Sequence, residues 1–277
     1  MSLLAMSVRF WGVRGSIPCP GPDAVGYGGN TSCVEIRCGD QLLVFDAGTG
    51  LRPLGNALMA ESKTVDTDIF LSHCHIDHLS GLPFFMPLHV EGYRIHIWAG
   101  NLKPSGSVGD AVRKMMSHPL FPIEIDMAKS NVEFHDFRAG ETLNPRPGIT
   151  LKTAPLNHPG GATGYRLEFG GRSVAYLTDM EMANGAADPG VLALAKDASL
   201  VIIDSTYTDA ELPSHDGWGH SSWQQCVKLA NAAGVEKLCL FHHDPDHDDS
   251  DMDAIAVAAE AARPGTIVAK EGLHIDL

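Results

Sequence analysis

The sequence predicts an α/β fold in which two β-sheets pack against each other and helices cover their outer faces. Short apolar segments dominate the first half of the 277-residue chain, and similar segments alternate with helical patterns in the second half. This order is typical of layered α/β proteins. Because no linker or repeat interrupts it, we expect a single domain over residues 1–277.

The predicted strands of the first half are bounded by glycine, proline and polar residues, as strand ends usually are. A Gly39-Asp40 turn joins the second strand to the third. These strands lie at residues 8–11, 34–37, 42–45, 67–71, 93–98, 131–137 and 149–154. One helix is predicted among them, over residues 107–117, where apolar residues recur at helical spacing.

In the second half the predicted strands lie at residues 163–169, 173–177, 201–203, 235–241, 266–269 and 273–275. Helices are predicted at 223–233 and 252–262. Ser221 or Ser222 is the expected N-cap of the first of these helices, because a serine hydroxyl can accept a hydrogen bond from a free backbone N–H of the first turn.

Composition and charge limit the possible partners. The chain is 44% hydrophobic and 19% charged, as is ordinary for a packed enzyme. Its formal net charge is −14 and no basic stripe is visible, which argues against long nucleic acid but not against a small phosphodiester. No apolar run approaches the roughly 20 residues that span a bilayer, so no membrane partner is expected.

The chain start and the cysteines predict a cytoplasmic protein. The first residues lack the basic start and long apolar core of a signal peptide. Met6 is an alternative natural start, which would make residues 1–5 an addition from cloning. The six cysteines form no CxxC pair and no dense framework, so we expect reduced thiols.

The most informative segment is 73–78, with the sequence His-Cys-His-Ile-Asp-His, which follows a predicted strand. His73 and His75 point the same way in an extended chain, whereas Asp77 and His78 lie where the chain turns. Imidazole and carboxylate ligands together suit zinc, and also manganese or iron. The segment therefore predicts a metal site at the carboxyl edge of a sheet, where binding crevices form in α/β proteins.

Other ligand-type side chains also follow predicted strands; they are Asp46, His158, Asp179, Asp204 and His242. Asp46 can hold a metal-binding imidazole from behind, or it can be a plain turn-forming aspartate. We prefer His242 to His243 as a ligand because it is the first residue past its strand.

The segment 73–78 resembles the HxHxDH signature of the metallo-β-lactamase-fold hydrolases, and the order of the later residues extends the resemblance over nearly the whole chain. It implies an αββα sandwich with two metal ions at one edge of the two sheets. Zinc is favoured, with manganese or iron as alternatives. The implied ligands are His73, His75 and His158 for the first ion, Asp77, His78 and His242 for the second, and Asp179 bridging both.

Two further segments resemble the phosphodiesterase branch of this family, which includes ribonuclease Z, carbon–phosphorus-lyase-associated phosphodiesterases and one class of cyclic-nucleotide phosphodiesterases. Residues 219–222, Gly-His-Ser-Ser before a helix, resemble its extra histidine motif. Residues 28–32 resemble its N-terminal loop, which implies Asn30 and Ser32 as substrate contacts.

The predicted catalytic residues are Asp77 and His220. Two divalent ions can generate a bridging hydroxide, and His220, which is not needed as a ligand, can donate a proton to the leaving alkoxide. Asp204 and His215 are candidates to orient His220.

The expected substrate is a small or cyclic phosphodiester. Bacterial ribonuclease Z carries a long tRNA-gripping arm between the positions that match His158 and Asp179, whereas a hairpin fills this short interval here. A lactonase or thioesterase, an RNA-processing nuclease and a non-catalytic metal-bound carrier stay open as alternatives. A homodimer is expected by analogy with the branch.

Overall fold

The structure is a computed structural model that describes residues 5–61, 63–182, 185 and 187–277. The predicted addition at residues 1–5 therefore lies outside the described residues, except for Ala5. Within these ranges no helix is both long and apolar enough to cross a membrane.

Fourteen strands are found in the described residues. They are β1 (Met6–Gly12), β2 (Cys33–Cys38), β3 (Gln41–Phe45), β4 (Asp66–Leu71), β5 (Arg94–Ala99), β6 (Asn131–Asp136), β7 (Thr142–Leu143), β8 (Thr150–Leu156), β9 (Ala162–Phe169), β10 (Arg172–Leu177), β11 (Leu200–Asp204), β12 (Lys237–Phe241), β13 (Ile267–Val268) and β14 (His274–Asp276). The α-helices described are α1 (Leu51–Ala60), α2 (Val108–Met115), α3 (Pro189–Ala195), α4 (Trp223–Ala232) and α5 (Asp249–Ala262).

The strands form two seven-stranded mixed sheets, in the orders β14-β1-β2-β3-β4-β5-β6 and β13-β12-β11-β10-β9-β8-β7. In each sheet an antiparallel part continues into a parallel part; the parallel neighbours are β3 to β6 in the first sheet and β10 to β13 in the second. Helices α1 and α2 cover the first sheet, and α3, α4 and α5 cover the second. The predicted αββα sandwich is confirmed.

An aromatic core lies between the sheets. Phe45 of the first sheet has its ring centroid 5.5 Å from those of Phe70, Tyr165 and Tyr176. Large apolar side chains buried from both sides fix the sheets against each other. This contact sets the positions of the strand ends that carry the site.

Two helices were not expected from the sequence. Helix α1 contains Gly55, which disfavours helix in isolation, and has Pro53 in its first turn, where proline is tolerated; it buries Leu51, Leu54 and Leu58 against the first sheet. Helix α3 is only seven residues long, too short for its apolar periodicity to be distinctive.

Helix α5 begins at Asp249, three residues before the predicted start. The carboxylate of Asp248 accepts hydrogen bonds from the backbone N–H groups of Ser250 and Asp251 and so extends the helix into the acidic segment. In helix α4, Ser222 is the N-cap, with a capping box to Gln225.

Candidate metal centre

Three imidazoles meet at the carboxyl ends of β4 and β8. His73 and His75 follow β4, and His158 follows β8 on the other sheet. The Nε2 atom of His158 lies 3.1 Å from Nδ1 of His75. One ring nitrogen of each residue lies within 4.8 Å of the others, so the three can share one metal ion.

Asp77, His78 and His242 form a second group. The Nε2 atom of His78 lies 3.1 Å from Oδ2 of Asp77 and 3.3 Å from Nε2 of His242. The Nε2 atom of His242 lies 3.4 Å from the same Asp77 oxygen. Donor atoms around one tetrahedral zinc ion, with bonds of 2.0–2.1 Å, are about 3.3 Å apart. This group therefore also has the spacing of a metal site.

Asp179 lies between the two groups and turns one carboxylate oxygen to each. Its Oδ1 atom lies 3.9 Å from Nε2 of His73 and 3.7 Å from Nε2 of His158. Its Oδ2 atom lies 3.1 Å from Nε2 of His78 and 3.2 Å from Nε2 of His242. The arrangement is that of a carboxylate able to bridge two ions.

The backbone at three of these strand ends is left-handed. Asp46, Asp179 and His242 have φ values of 61°, 56° and 61°. Asp and His tolerate this region better than most residues, yet it is uncommon and tends to cluster at functional sites.

The charges and hydrogen bonds of the cluster fit metal ions. The Nε2 atom of His73 is buried and has no hydrogen-bond partner among the described residues, which a metal ion would remedy. Burial, reinforced by the His78 imidazole, lowers the pKa of His73 well below its usual range; burial also lowers the pKa of His158. Both rings therefore keep a free lone pair.

The electrostatic field of the carboxylates around Asp77, His78 and His242 favours a bound cation. Burial opposes a charge on His78, but the carboxylates of Asp179, Asp77 and Asp46 raise the pKa of His78 well above its usual range. Burial likewise opposes a charge on Asp179, but the nearby imidazoles, led by that of His242, keep the pKa of its carboxyl well below its usual range. Both oxygens of Asp179 are therefore free of protons and available as ligands.

Asp46 lies behind the centre and holds two of its imidazoles. Its Oδ2 atom accepts a hydrogen bond from Nδ1 of His78 at 2.8 Å, and also from the hydroxyls of Ser72 and Tyr176. The Ser72 hydroxyl has only one hydrogen, which it gives to Asp46, so it accepts the 3.0 Å hydrogen bond from Nδ1 of His73. In both imidazoles the Nε2 lone pair is thereby left to face the centre.

Asp204 makes the matching arrangement on the second sheet. Its Oδ2 atom accepts a 2.7 Å hydrogen bond from Nδ1 of His220. Its Oδ1 atom accepts a hydrogen bond from the Thr206 hydroxyl, which itself lies 3.1 Å from Nδ1 of His242. One buried carboxylate thus holds His220 directly and His242 through a hydroxyl.

His220 lies beside the ligand cluster and is nearly buried. One of its ring nitrogens, a nitrogen of His158 and an oxygen of Asp179 lie within 4.8 Å of one another. Burial opposes its charge, but Asp204, followed by Asp179 and Asp77, raises the pKa of His220 to about 9. These carboxylates therefore favour the protonated imidazole.

The backbone of Gly219 positions His158. Its carbonyl accepts a 2.9 Å hydrogen bond from Nδ1 of His158. Gly219 has a φ of 86°, and a Cβ atom there would lie 2.3 Å from that same nitrogen. Only glycine fits both the backbone conformation and the space.

The loop after β1 closes over the second group of ligands. The backbone N–H of Ser16 donates a 2.8 Å hydrogen bond to Oδ2 of Asp77. A Cβ atom on Gly15 would lie 2.4 Å from Nδ1 of His242. This loop is therefore in direct contact with two of the predicted ligands.

Four residues considered from the sequence lie outside the cluster. The side-chain amide of Asn30 donates a hydrogen bond to Glu271, and the Ser32 side chain is completely buried; their contact with substrate stays a prediction. His215 stacks on Tyr207 instead of contacting Asp204 or His220. The Nε2 atom of His243 bonds to a backbone carbonyl, facing away from the cluster.

The sequence interpretation also missed residues that the structure brings to the centre: Ser16, Ser72, Thr206 and the Gly219 carbonyl. The positions of Ser72 and Thr206 weakly indicated a role in the site, since each lies at a strand end beside a predicted functional residue. Nothing in the sequence indicated a role for Ser16, because its contact is made by the backbone N–H.

Comparison with known proteins agrees with this geometry. A family model described as "Beta-lactamase superfamily domain" matches residues 42–243. Ribonuclease Z of Myxococcus xanthus (strain DK1622) is 22% identical over 293 residues, which cover 90% of this chain and 92% of that protein.

Two solved structures share the fold along the whole chain. The metallo-β-lactamase-fold protein YhfI of Bacillus subtilis aligns with a TM-score of 0.75 and 19% identity, covering 99% of each chain. A diphosphatase of the PhnP family aligns with a TM-score of 0.73 and 18% identity, covering 98% of each chain. The resemblance noted in the sequence is confirmed: the chain belongs to the beta-lactamase superfamily, as a metal-dependent hydrolase that is similar in sequence to ribonuclease Z and in fold to a diphosphatase of the PhnP family.

Proposed function

We propose that this protein is a dinuclear phosphodiesterase that hydrolyses small or cyclic phosphodiesters, with His220 as the general acid. The observation that carries the proposal is the position of His220: it is fixed by Asp204 and lies beside a complete set of seven ligand-type side chains. A protonated group in this position supplies what phosphodiester hydrolysis needs after attack, a proton for the leaving oxygen.

The cluster is suited to two divalent ions, and zinc is favoured by its nitrogen-rich ligands. His73, His75 and His158 would hold one ion with Oδ1 of Asp179. Asp77, His78 and His242 would hold the other with Oδ2 of Asp179.

When bound, two such ions lower the pKa of a water molecule to make it a nucleophile at neutral pH and polarise the phosphoryl oxygens. The residues of the chain supply the rest. Asp179 sets the distance between the two groups, and Asp46 and Asp204 keep the imidazoles in one orientation. Asp204 also holds Nδ1 of His220, so that the other ring nitrogen is free to give its proton to the leaving oxygen.

The first test is hydrolysis of bis-p-nitrophenyl phosphate by protein of known metal content. We expect Asp77→Ala to lose activity together with metal. His220→Ala is expected to keep its metal and to lose little rate on this aryl ester, but to be slower by about 10²–10⁴-fold on an alkyl or cyclic phosphodiester, the usual contribution of general acid–base catalysis. His215→Ala is the matched control, since this histidine contacts Tyr207 and not the centre, and it should behave as wild type.

Leaving-group dependence separates general-acid catalysis from a structural role. A p-nitrophenolate leaves easily without a proton, whereas an alkoxide does not. The loss caused by His220→Ala should therefore be larger for an alkyl or cyclic phosphodiester than for an aryl one. An equal loss on both substrates would exclude His220 as the proton donor.

RNA processing is a second candidate, favoured by the ribonuclease Z relative that matches nine tenths of this chain. Against it stand the net charge of −14 and the short hairpin of β9 and β10 that fills the interval between His158 and Asp179. Turnover of 2′,3′- or 3′,5′-cyclic nucleotides without cleavage of precursor tRNA would support the first proposal. Efficient tRNA cleavage would support the second, and cleavage of lactones or thioesters alone would exclude both.

A further inference from the structure

A second group of potential metal ligands lies on neighbouring strands of the first sheet, apart from the centre described above. It consists of His96 on β5 and of Glu133 and His135 on β6. His96 is paired in register with Glu133, and the three side chains share one face of the sheet. None of them takes part in the proposed hydrolysis.

The donor atoms have the spacing of a metal site. The Nδ1 atom of His96 lies 3.1 Å from Nε2 of His135. The Oε2 atom of Glu133 lies 3.6 Å from the His96 nitrogen and 3.8 Å from the His135 nitrogen. Ligands of one tetrahedral zinc ion are about 3.3 Å apart, given zinc–nitrogen bonds of 2.0–2.1 Å. These three separations also match the 3.1–3.9 Å found within the hydrolytic cluster.

The surrounding residues hold these groups in place. Asn131 donates a hydrogen bond to Oε1 of Glu133, so that Oε2 is the oxygen that faces the imidazoles. Trp98 stacks on His135 with ring centroids 4.0 Å apart. The other nitrogen of His96 lies 3.8 Å from a carboxylate oxygen of Asp66, which is beyond hydrogen-bond distance.

The group is distant from the hydrolytic centre. His96 is in register with Asp68 of β4, five residues before His73. At about 3.3 Å per residue along a strand, this places the two sites roughly 16 Å apart. The three side chains are partly exposed, so an ion can reach them from solvent.

We propose that His96, Glu133 and His135 bind a further divalent transition-metal ion, with solvent completing its coordination. Two imidazoles and one carboxylate suit Zn²⁺ and Cu²⁺ better than Mg²⁺ or Ca²⁺. Because β6 is the edge strand of the sheet, the ion would fasten this strand to β5. No part of this inference depends on the substrate.

The test compares the metal content of wild-type protein with that of the double variant His96→Asn, His135→Asn after equilibration with Zn²⁺. We expect one zinc ion fewer per chain in the double variant. Loss of a supporting group costs roughly 10–100-fold in metal affinity, so loss of two ligands should cost at least about 100-fold. His274→Asn, which removes an exposed histidine elsewhere, should leave the metal content unchanged.

A second measurement locates the ion. Cu²⁺ bound at His135 should quench the fluorescence of the stacked Trp98, and the response should be absent from both the double variant and Trp98→Phe. Near-ultraviolet circular dichroism would show that the variants are folded. Equal zinc content in wild type and double variant, or undiminished copper quenching in the double variant, would overturn the proposal and leave a histidine pair joined only by a hydrogen bond.

Discussion

Ser72 and Thr206 each orient one imidazole, on opposite sides of the candidate metal centre. The Ser72 hydroxyl donates its hydrogen to the buried carboxylate of Asp46, and the Thr206 hydroxyl donates to Asp204 or to the His242 carbonyl. Each hydroxyl oxygen also lies within hydrogen-bond distance of the Nδ1 atom of a predicted imidazole ligand. A hydroxyl with its hydrogen already given away can only accept from that nitrogen. The Nε2 lone pair is thereby kept for the metal, and the ring cannot rotate.

Removing the Ser72 hydroxyl should therefore weaken metal binding without unfolding the protein. In Ser72→Ala we expect a loss of about 10–100-fold in metal affinity, since His73 loses the group that orients it. The measurement is the zinc concentration needed for half occupancy, by competition with a chromogenic chelator.

Ser205→Ala is the control for this loss. Its hydroxyl is also buried at a strand end, but it bonds to the carbonyl of Phe241 and touches no imidazole. If both alanine variants bind zinc equally well, the proposed role of Ser72 is incorrect.

The difference between Ser72 and the residues after it shows how far sequence interpretation reaches at this scale. His73, His75, Asp77 and His78 could be recognised because their spacing alone is distinctive. Ser72 gains its role only from Asp46, which is 26 residues away and becomes its neighbour through the parallel pairing of β3 with β4. No local pattern contains that information.

At the scale of elements, the segment before α4 contributes two groups to the site. One is a backbone carbonyl that binds the His158 imidazole, and the other is the side chain of His220. Gly219 accepts the hydrogen bond of His158, and His220 follows directly and bonds to Asp204. The capping box of Ser222 and Gln225 then fixes where the helix starts. The position of the proposed proton donor is thus tied to that of a predicted metal ligand.

Gly219→Ala should break this connection. The new Cβ would lie 2.3 Å from Nδ1 of His158, so the imidazole must move or the segment must shift. We expect loss of metal from the first group of ligands and a fall in diesterase activity of at least about 100-fold, because small misplacements cost that much in catalysis.

Gly217→Ala offers a close comparison. Gly217 also has a positive φ, of 80°, but a Cβ atom there would meet nothing within 4 Å. It should carry a similar backbone strain without the collision, and it should therefore retain metal and most activity. Similar losses in the two variants would mean that backbone strain, and not contact with His158, is responsible.

Elements differ in how well the sequence predicts them. Helix α2 and helix α4 were predicted within two residues because their polar N-caps precede a clear apolar periodicity. Helix α1 was missed because Gly55 opposes helix formation locally, and burial of the helix's leucines against the sheet outweighs this only after the sheet has formed.

At the scale of the whole molecule, burial in the packed interior determines how reactive the cysteine thiols are. All six thiols are free, and Cys33, Cys38, Cys226 and Cys239 are buried. Burial raises the pKa of all four, that of Cys38 to about 12. They should resist alkylation in the native protein, because the thiolate is the reactive form.

The raised pKa of the Cys38 thiol should make the folded state less stable at alkaline pH. Between roughly pH 8.5 and 12 the Cys38 thiol loses its proton in the unfolded chain but keeps it in the folded one, so the unfolded state binds fewer protons and stability falls as pH rises. In Cys38→Ala the decline should be shallower by at most about 1.4 kcal/mol per pH unit. Urea unfolding at pH 8 and pH 10 measures it, and an unchanged slope would show that Cys38 does not contribute.

The candidate metal centre also lies where the two sheets meet. His73, His75, Asp77 and His78 follow a strand of the first sheet, whereas the remaining predicted ligands, His158, Asp179 and His242, follow strands of the second. Ions bound there would be shared by both layers of the sandwich. Binding to the folded state alone adds stability that grows with the ratio of metal concentration to Kd.

Chelation should therefore lower the melting temperature. At a metal concentration about 1,000 times Kd, one ion adds about 4 kcal/mol, which corresponds to roughly 10 °C for a protein of this size. Asp179→Asn should lose most of this metal-dependent shift, since it weakens both groups of ligands together. His220→Ala should keep the shift in full, because His220 is proposed to supply a proton and not to bind an ion. If chelation removes the ions but leaves the melting temperature unchanged, the centre does not hold the sheets together, and the aromatic core between them must suffice.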